Sequence, residues 1–265
     1  SFTVSQSACA DGTLNTVSQS APATGNAKFC RAGQNFTAKV TALNAAGNAT
    51  PNYGNETPAE KVGLGSWGVQ LPSGGAPGTL PTATFTGAPA SGTLTANATS
   101  VWNEVGILKA TAAVGDANYL GAGNISNTVY FGRFYPDHFD TTITPATGCS
   151  GFVYAGQSAT VLGQPFTVTT TAKSGASTPT TTTNYTSAGG FAKNIDLSLS
   201  AGGSVGKLYV GNTQTGTNAI PATTFVAGIG EAHFAAAAGT TSYSFDTFPT
   251  RPTPITLHGL DPDTG

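Results

Sequence analysis

The chain has 265 residues, of which only 8% are charged, with a net charge of −2, 35 Gly, 16 Pro and no Met. That charged fraction is far below the roughly one quarter usual in soluble domains, so Thr, Ser, Asn and Gln must carry the wet surface. With no basic stripe for phosphate contacts nucleic acid is excluded as a partner, and with no apolar run of spanning length a transmembrane segment is excluded too.

Read in chain order, short alternating runs rich in Thr and Val are punctuated by Gly and Pro, which is strand-and-turn chemistry. "SFTVSQSAC" at the start reads as an aromatic-led strand running into a cysteine. "KFCRAGQNFTAKVTA", from Lys28, ends as an alternating strand at Thr41-Ala42, and a turn-rich stretch leads to Asn52-Tyr53. Phe85 follows "PTAT"; later "NTVYFGRFY" (Asn127–Tyr135) reads as a strand, Pro136-Asp137 as a linker and "HFDTTIT" from His138 as the next strand. "GQPFTVTTTA", from Gly163, is a further alternating strand, "STPTTTTNYT" (Ser177–Thr186) a solvated loop leading into a strand, and Phe225 follows "PATT".

The two halves repeat each other. Gly33-Gln34, Phe36-Thr37, Thr41-Ala42, Asn52-Tyr53 and Lys61 return in order as Gly163-Gln164, Phe166-Thr167, Thr171-Ala172, Asn184-Tyr185 and Lys193. Repetition on that scale implies tandem domains rather than a solenoid. The expected fold is all-β, two tandem Ig-like antiparallel β-sandwiches over 1–135 and 136–265, with about seven short strands in each. Tyr53 and Tyr185 fit a tyrosine corner, with the ring in the core and the hydroxyl on nearby backbone. His138, between Asp137 and Asp140, reads as a junction residue rather than a base, because no partner or pocket is evident.

Three cysteines are present. A Cys9–Cys30 disulfide would close a loop of about twenty residues and stabilise by about 3 kcal/mol in the chain-entropy model. In the second copy Val153 stands where Cys30 would be, so Cys149 is either free and buried or paired outside these residues.

The succession Gly132–Asp140, Cys149–Gln157, Gly163–Thr169, Asn184–Thr186 and Phe191–Lys193 resembles the Ig-like domain of MshQ-like proteins, bacterial surface proteins associated with MSHA-type, type IV-like pili. The resemblance covers most of the second half and implies an extracellular, cell-surface or pilus-associated role without known catalysis. It departs from the pattern at "YAGQSATVLGQPF", where the Gly-Gln step occurs twice. The family unit is expected to continue past Gly265.

Catalysis finds little support. The histidines His138, His233 and His258 lie in no nucleophile elbow, His and Cys spacings fit no metal cage, and Glu56, Glu60, Glu104 and Glu231 form no acid pair by pattern. No enzyme and no cofactor are expected. Asp261 and Asp263 in "DPDTG" could begin a calcium (Ca2+) loop, but the downstream bidentate Glu is missing and a plain turn is favoured. Lys39 is weighed as an isopeptide lysine and six Asn-x-Ser/Thr sequons as glycan acceptors, both on little support. The leading expectation is a structural or adhesive stalk or tip segment, meeting other surface or pilus proteins or copies of itself. The alternatives are a filament subunit joined by strand donation, and a carbohydrate-binding adhesin whose glycan contacts would be Trp67 or Trp102 beside Asp or Asn.

Overall fold

A computed structural model describes residues 1–10, 14–15, 28–81, 85–87, 93–95, 100–145, 166–200, 206–210, 213–214, 218–234, 241–245 and 256–260. The chain is all-β: the described residues form several largely antiparallel sheets and two short 3-10 turns, with no α-helix among them. No helix of the described residues is long and apolar enough to cross a membrane. The chain divides into two compact units. Unit 1 comprises Ser1–Asp137, Lys173–Asn184 and Gly189–Phe191; unit 2 comprises His138–Ala172, Tyr185–Ala188 and Ala192–Gly265.

The strands described in unit 1 are β1 (Phe2–Cys9), β2 (Leu14–Asn15), β3 (Cys30–Arg31), β4 (Asn35–Ala42), β5 (Val62–Leu71), β6 (Phe85–Gly87), β7 (Thr93–Thr95), β8 (Ser100–Val101), β9 (Gly106–Val114) and β10 (Ser126–Tyr135). One sheet has the order β2-β1-β4-β7, with β8 also on β4; the other runs β3-β10-β9-β5-β6. Period-two alternation sends Phe36, Ala38 and Val40 of β4 inward, while Thr37 and Lys39 stay half-buried. Phe36 is the hub of the core. Its ring lies 5.8 Å from Phe29, 5.9 Å from Phe131 and 5.3 Å from Phe134. The aromatics of "GRFYP" are therefore core residues of the last strand of this unit. Cys9 ends β1 and Cys30 opens β3, so their disulfide, with Cα atoms 5.3 Å apart, ties one sheet to the other.

A bulge in β5 redirects one side chain. Gly65 pairs with Thr111 and Gly68 with Lys109, so Ser66 and Trp67 together oppose a single residue, and Ser66 takes φ 52°. The extra residue reverses the alternation beyond it. Trp67 consequently packs against the core, its ring centroid 6.2 Å from Phe36 and 5.1 Å from Phe131.

Unit 2 is built from β11 (His138–Pro145), β12 (Phe166–Lys173, its last residue belonging to unit 1), β13 (Ile195–Ser200), β14 (Gly206–Val210), β15 (Thr213–Gln214), β16 (Asn218–Ile220), β17 (Ile229–Phe234), β18 (Thr241–Phe245) and β19 (Thr256–Leu260). Its sheets have the orders β11-β12-β17-β18-β14-β15 and β16-β13-β19. Tyr185 and Phe225 meet edge to face at 5.0 Å and are buried, as are Val168, Ile195 and Ile220.

The sequence repeat has a structural counterpart. β1 pairs with β4 as β11 neighbours β12. The Phe2 and Tyr53 rings lie 5.7 Å apart, and those of Phe139 and Tyr185 lie 5.5 Å apart. Tyr53 donates its hydroxyl to the Lys61 carbonyl at 2.9 Å; the Lys193 amide donates to the Tyr185 hydroxyl at 2.9 Å. Both tyrosines are thus buried rings tethered to backbone eight residues on.

Candidate functional site

The most organised polar site described lies within unit 1, where segment 173–184 meets the loop that follows β5 and the loop between β8 and β9. Trp102 anchors one loop: it is fully buried, its ring 5.1 Å from Phe134, and its indole N–H donates to the Pro77 carbonyl at 2.8 Å. Next in sequence, Asn103 accepts the Thr79 amide at 2.7 Å through Oδ1, and Glu104 follows, 4% exposed. Its Oε1 accepts the Thr183 amide at 3.0 Å and the Thr183 hydroxyl at 2.7 Å; Oε2 accepts the Asn184 amide at 3.0 Å. A carboxylate can be buried at tolerable cost only when donors replace its water, and three do so here.

The same segment is held at further points. The Asn184 carboxamide accepts the Ala76 amide at 2.7 Å and donates to the Ala76 carbonyl at 2.9 Å, standing in for a strand's pair of backbone bonds. The Gly175 amide donates to the Ala32 carbonyl at 2.7 Å, and Arg31 lies 3.6 Å from the Asp137 carboxylate. Gly33 has φ 85°, and a β-carbon there would stand 2.7 Å from the Ala176 nitrogen, so only glycine fits this approach. Ser174 closes the segment on itself, its Oγ accepting the Thr180 amide at 3.0 Å.

A second polar group in unit 1 joins loop 51–61 to loop 115–123. Glu56 accepts the amides of Gly54 at 2.6 Å and Glu60 at 3.4 Å through Oε2, and the Tyr119 hydroxyl at 3.2 Å through Oε1. Glu60, itself buried, accepts the Leu120 amide at 3.1 Å, and the Tyr53 and Tyr119 rings stack at 5.7 Å. Desolvation alone would push the Glu56 carboxyl up. Hydrogen bonds from its own amide, Gly54, Glu60 and the Tyr119 hydroxyl outweigh it and hold the carboxyl below its ordinary value. Burial first, then the charges of Glu60 and Glu56, drives the Tyr53 phenol far above its usual range. Tyr119 is raised as well, by burial first and then by Glu56. Both phenols stay neutral and donate to their acceptors; the acids organise loops.

Cys9 and Cys30 form the disulfide. Trp67, partly buried, packs on the core beside Phe36, and Trp102 lies fully buried inside it. His138 is half-exposed, its Nε2 3.9 Å from Asp140. Lys39 sits opposite Gln6 on one side and Thr95 on the other. Asp261, Asp263 and Cys149 lie outside the described residues, as do the side chains of His233 and His258. Among the described residues no three His, Cys, Asp or Glu side chains converge. In unit 2 an open concavity is lined by Thr224, Val226, Ile229 and Glu231, with one carboxylate in its wall.

Comparison with protein families places these features. A family model described as DUF6701, third domain, matches residues 104–261, and one described as DUF6701, second domain, matches residues 4–100. The chain belongs to the DUF6701 family. No curated protein and no solved structure matches it. The DUF6701 third-domain match opens at Glu104 and contains Thr183 and Asn184, so this acid and the amides it holds fall under one family description.

Sequence reading missed the role of Glu104, one of four glutamates with no local pattern around it. Asn184 carried a signal, because Asn-Tyr recurs in both copies, but the recurrence pointed to the tyrosine.

Proposed function

We propose that this chain is a structural segment of a bacterial cell-surface or pilus-associated protein, placed outside the cell, whose loops provide adhesive contact. The observation that carries this reading is the use made of acid side chains. Glu56, Glu60 and Glu104 each accept backbone amides and fasten loops, which is how a scaffold uses a carboxylate rather than how a base is held ready. The sheet-to-sheet Cys9–Cys30 disulfide supports an oxidising compartment, and the resemblance to MshQ-like proteins supports the surface or pilus setting.

Intact bacteria producing the protein provide the test, by antibody labelling of the unbroken cell and thiol alkylation of the recovered chain. The expected result is surface labelling with Cys9 and Cys30 resistant to alkylation until reduced. Protein found only inside the cell, with both thiols reactive, would refute the reading. A defined sugar captured from a glycan array would move the assignment to a carbohydrate-binding adhesin.

A further inference from the structure

Segment 173–184 has a counterpart in the first copy of the repeat, the loop from Leu43 to Asn52. Leu43 bridges Ala49 as Lys173 bridges Thr181. Asn44 donates its amide to the Asn48 carbonyl as Ser174 does to Thr180. The Asn44 side chain accepts the Asn48 amide at 3.0 Å, as Ser174 Oγ accepts that of Thr180. Each loop ends in Asn-Tyr, with the tyrosine buried and tethered. Chain entry matches as well: the Ser1 nitrogen donates to the Leu43 carbonyl at 3.0 Å, and the Asp137 amide donates to the Lys173 carbonyl at 2.9 Å.

Their surroundings differ. Thr182 and Ser174 are fully buried and Asn184 is 3% exposed, whereas Asn44 through Ala49 are exposed, and so are Pro51 and Asn52. The side chain and amide of Asn52 have no hydrogen-bond partner among the described residues, while the equivalent groups of Asn184 hold Ala76 and Glu104. One loop shape is therefore engaged and the other is open. The family numbers the matched domains second and third, which puts a first domain ahead of them in order.

We propose that loop Leu43–Asn52 is a docking surface for the DUF6701 domain that precedes these two. That domain would offer what unit 1 offers to segment 173–184: a carboxylate for the Asn52 amide and an open peptide group for the Asn52 carboxamide. Pro51 stands where Thr183 stands and has neither an amide N–H nor a hydroxyl, so the incoming acid gains one N–H donor here and the carboxamide carries more of the recognition. A peptide-pairing Asn beside an acid-binding amide selects backbone and carboxylate together, which suits a folded edge loop better than a free anion. The inference does not depend on where the protein resides or on what it adheres to.

The test is amide hydrogen exchange across residues 44–52, in the 265-residue chain and in the same chain with the family's first domain in its natural place ahead of Ser1. The expected result is exchange at Asn52 slowed by about tenfold or more in the longer chain. Asn52→Asp, which sets a carboxylate against a carboxylate, should abolish that slowing while leaving the melting temperature of the 265-residue chain unchanged. Equal exchange in the two chains, or protection that survives Asn52→Asp, would overturn the proposal. So would protection that appears in the 265-residue chain alone as its concentration rises, because the occupant would then be a second copy.

Discussion

Glu104 holds two successive amides and a hydroxyl with one carboxylate. Gln in its place keeps the shape but turns one acceptor into a donor that faces another donor. Hydrogen bonds to a charged group contribute about 1.5–3 kcal/mol, and a buried donor left unmatched costs about 1–3 kcal/mol. Glu104→Gln should therefore lower unfolding stability in urea by about 2–3 kcal/mol, with faster amide exchange at Thr183 and Asn184; unchanged exchange there would show that the acid is not what holds them. Glu56 gives a pH prediction. Its folded carboxyl titrates below the ordinary 4.5, so its contribution is complete above that value and is lost as pH falls through the lower folded value. The melting temperature of the wild type should drop more steeply than that of Glu56→Gln as acid is added below pH 4.5; parallel acid limbs would contradict this. Neither role was legible in the sequence. The partners of Glu104 lie 79 and 80 residues further on, and no local pattern reports a bond of that span.

Among the elements, strands and their periodicity were the most legible feature. β4 and β12 each cover the Phe-Thr to Thr-Ala run that repeats, and β10 and β11 flank Pro136-Asp137. Tyr53 and Tyr185 were legible too, because a lone buried Tyr after a turn must find an acceptor or donor close along the chain. Tyr53→Phe and Tyr185→Phe should each cost about 1 kcal/mol, the net value of one such bond. A cost confined to one of the pair, measured by chemical denaturation, would mean that only one corner bears on stability. Trp67 packs toward the core for a physical reason. Simple alternation from Leu64 turns it outward, and the bulge at Ser66, set between Gly65 and Gly68, turns it in.

Across the whole molecule, fold class followed from composition: abundant Thr and Val with Gly and Pro punctuation leaves few ways to build helix, and the described chain contains no α-helix. The disulfide was legible from the first copy's paired cysteines. Because it spans 21 residues and joins the two sheets of unit 1, its reduction should lower stability by about 3 kcal/mol. Calorimetry with and without reductant measures this, and an unchanged melting temperature would assign the bond no stabilising role. Unit membership was not legible. Segment 173–184 looks in sequence like a polar loop of the second copy, yet its bonds to Ala32, Ala76 and Glu104 enrol it in unit 1.

That enrolment bears on how such genes can be shuffled. A crossover at Pro136, where the repeat invites one, would pass Glu104 to one descendant and Thr183 with Asn184 to another, leaving a buried anion without its donors. Recombinants that thrive should inherit all three together, so the natural cassette is wider than the repeat that bounds it in sequence.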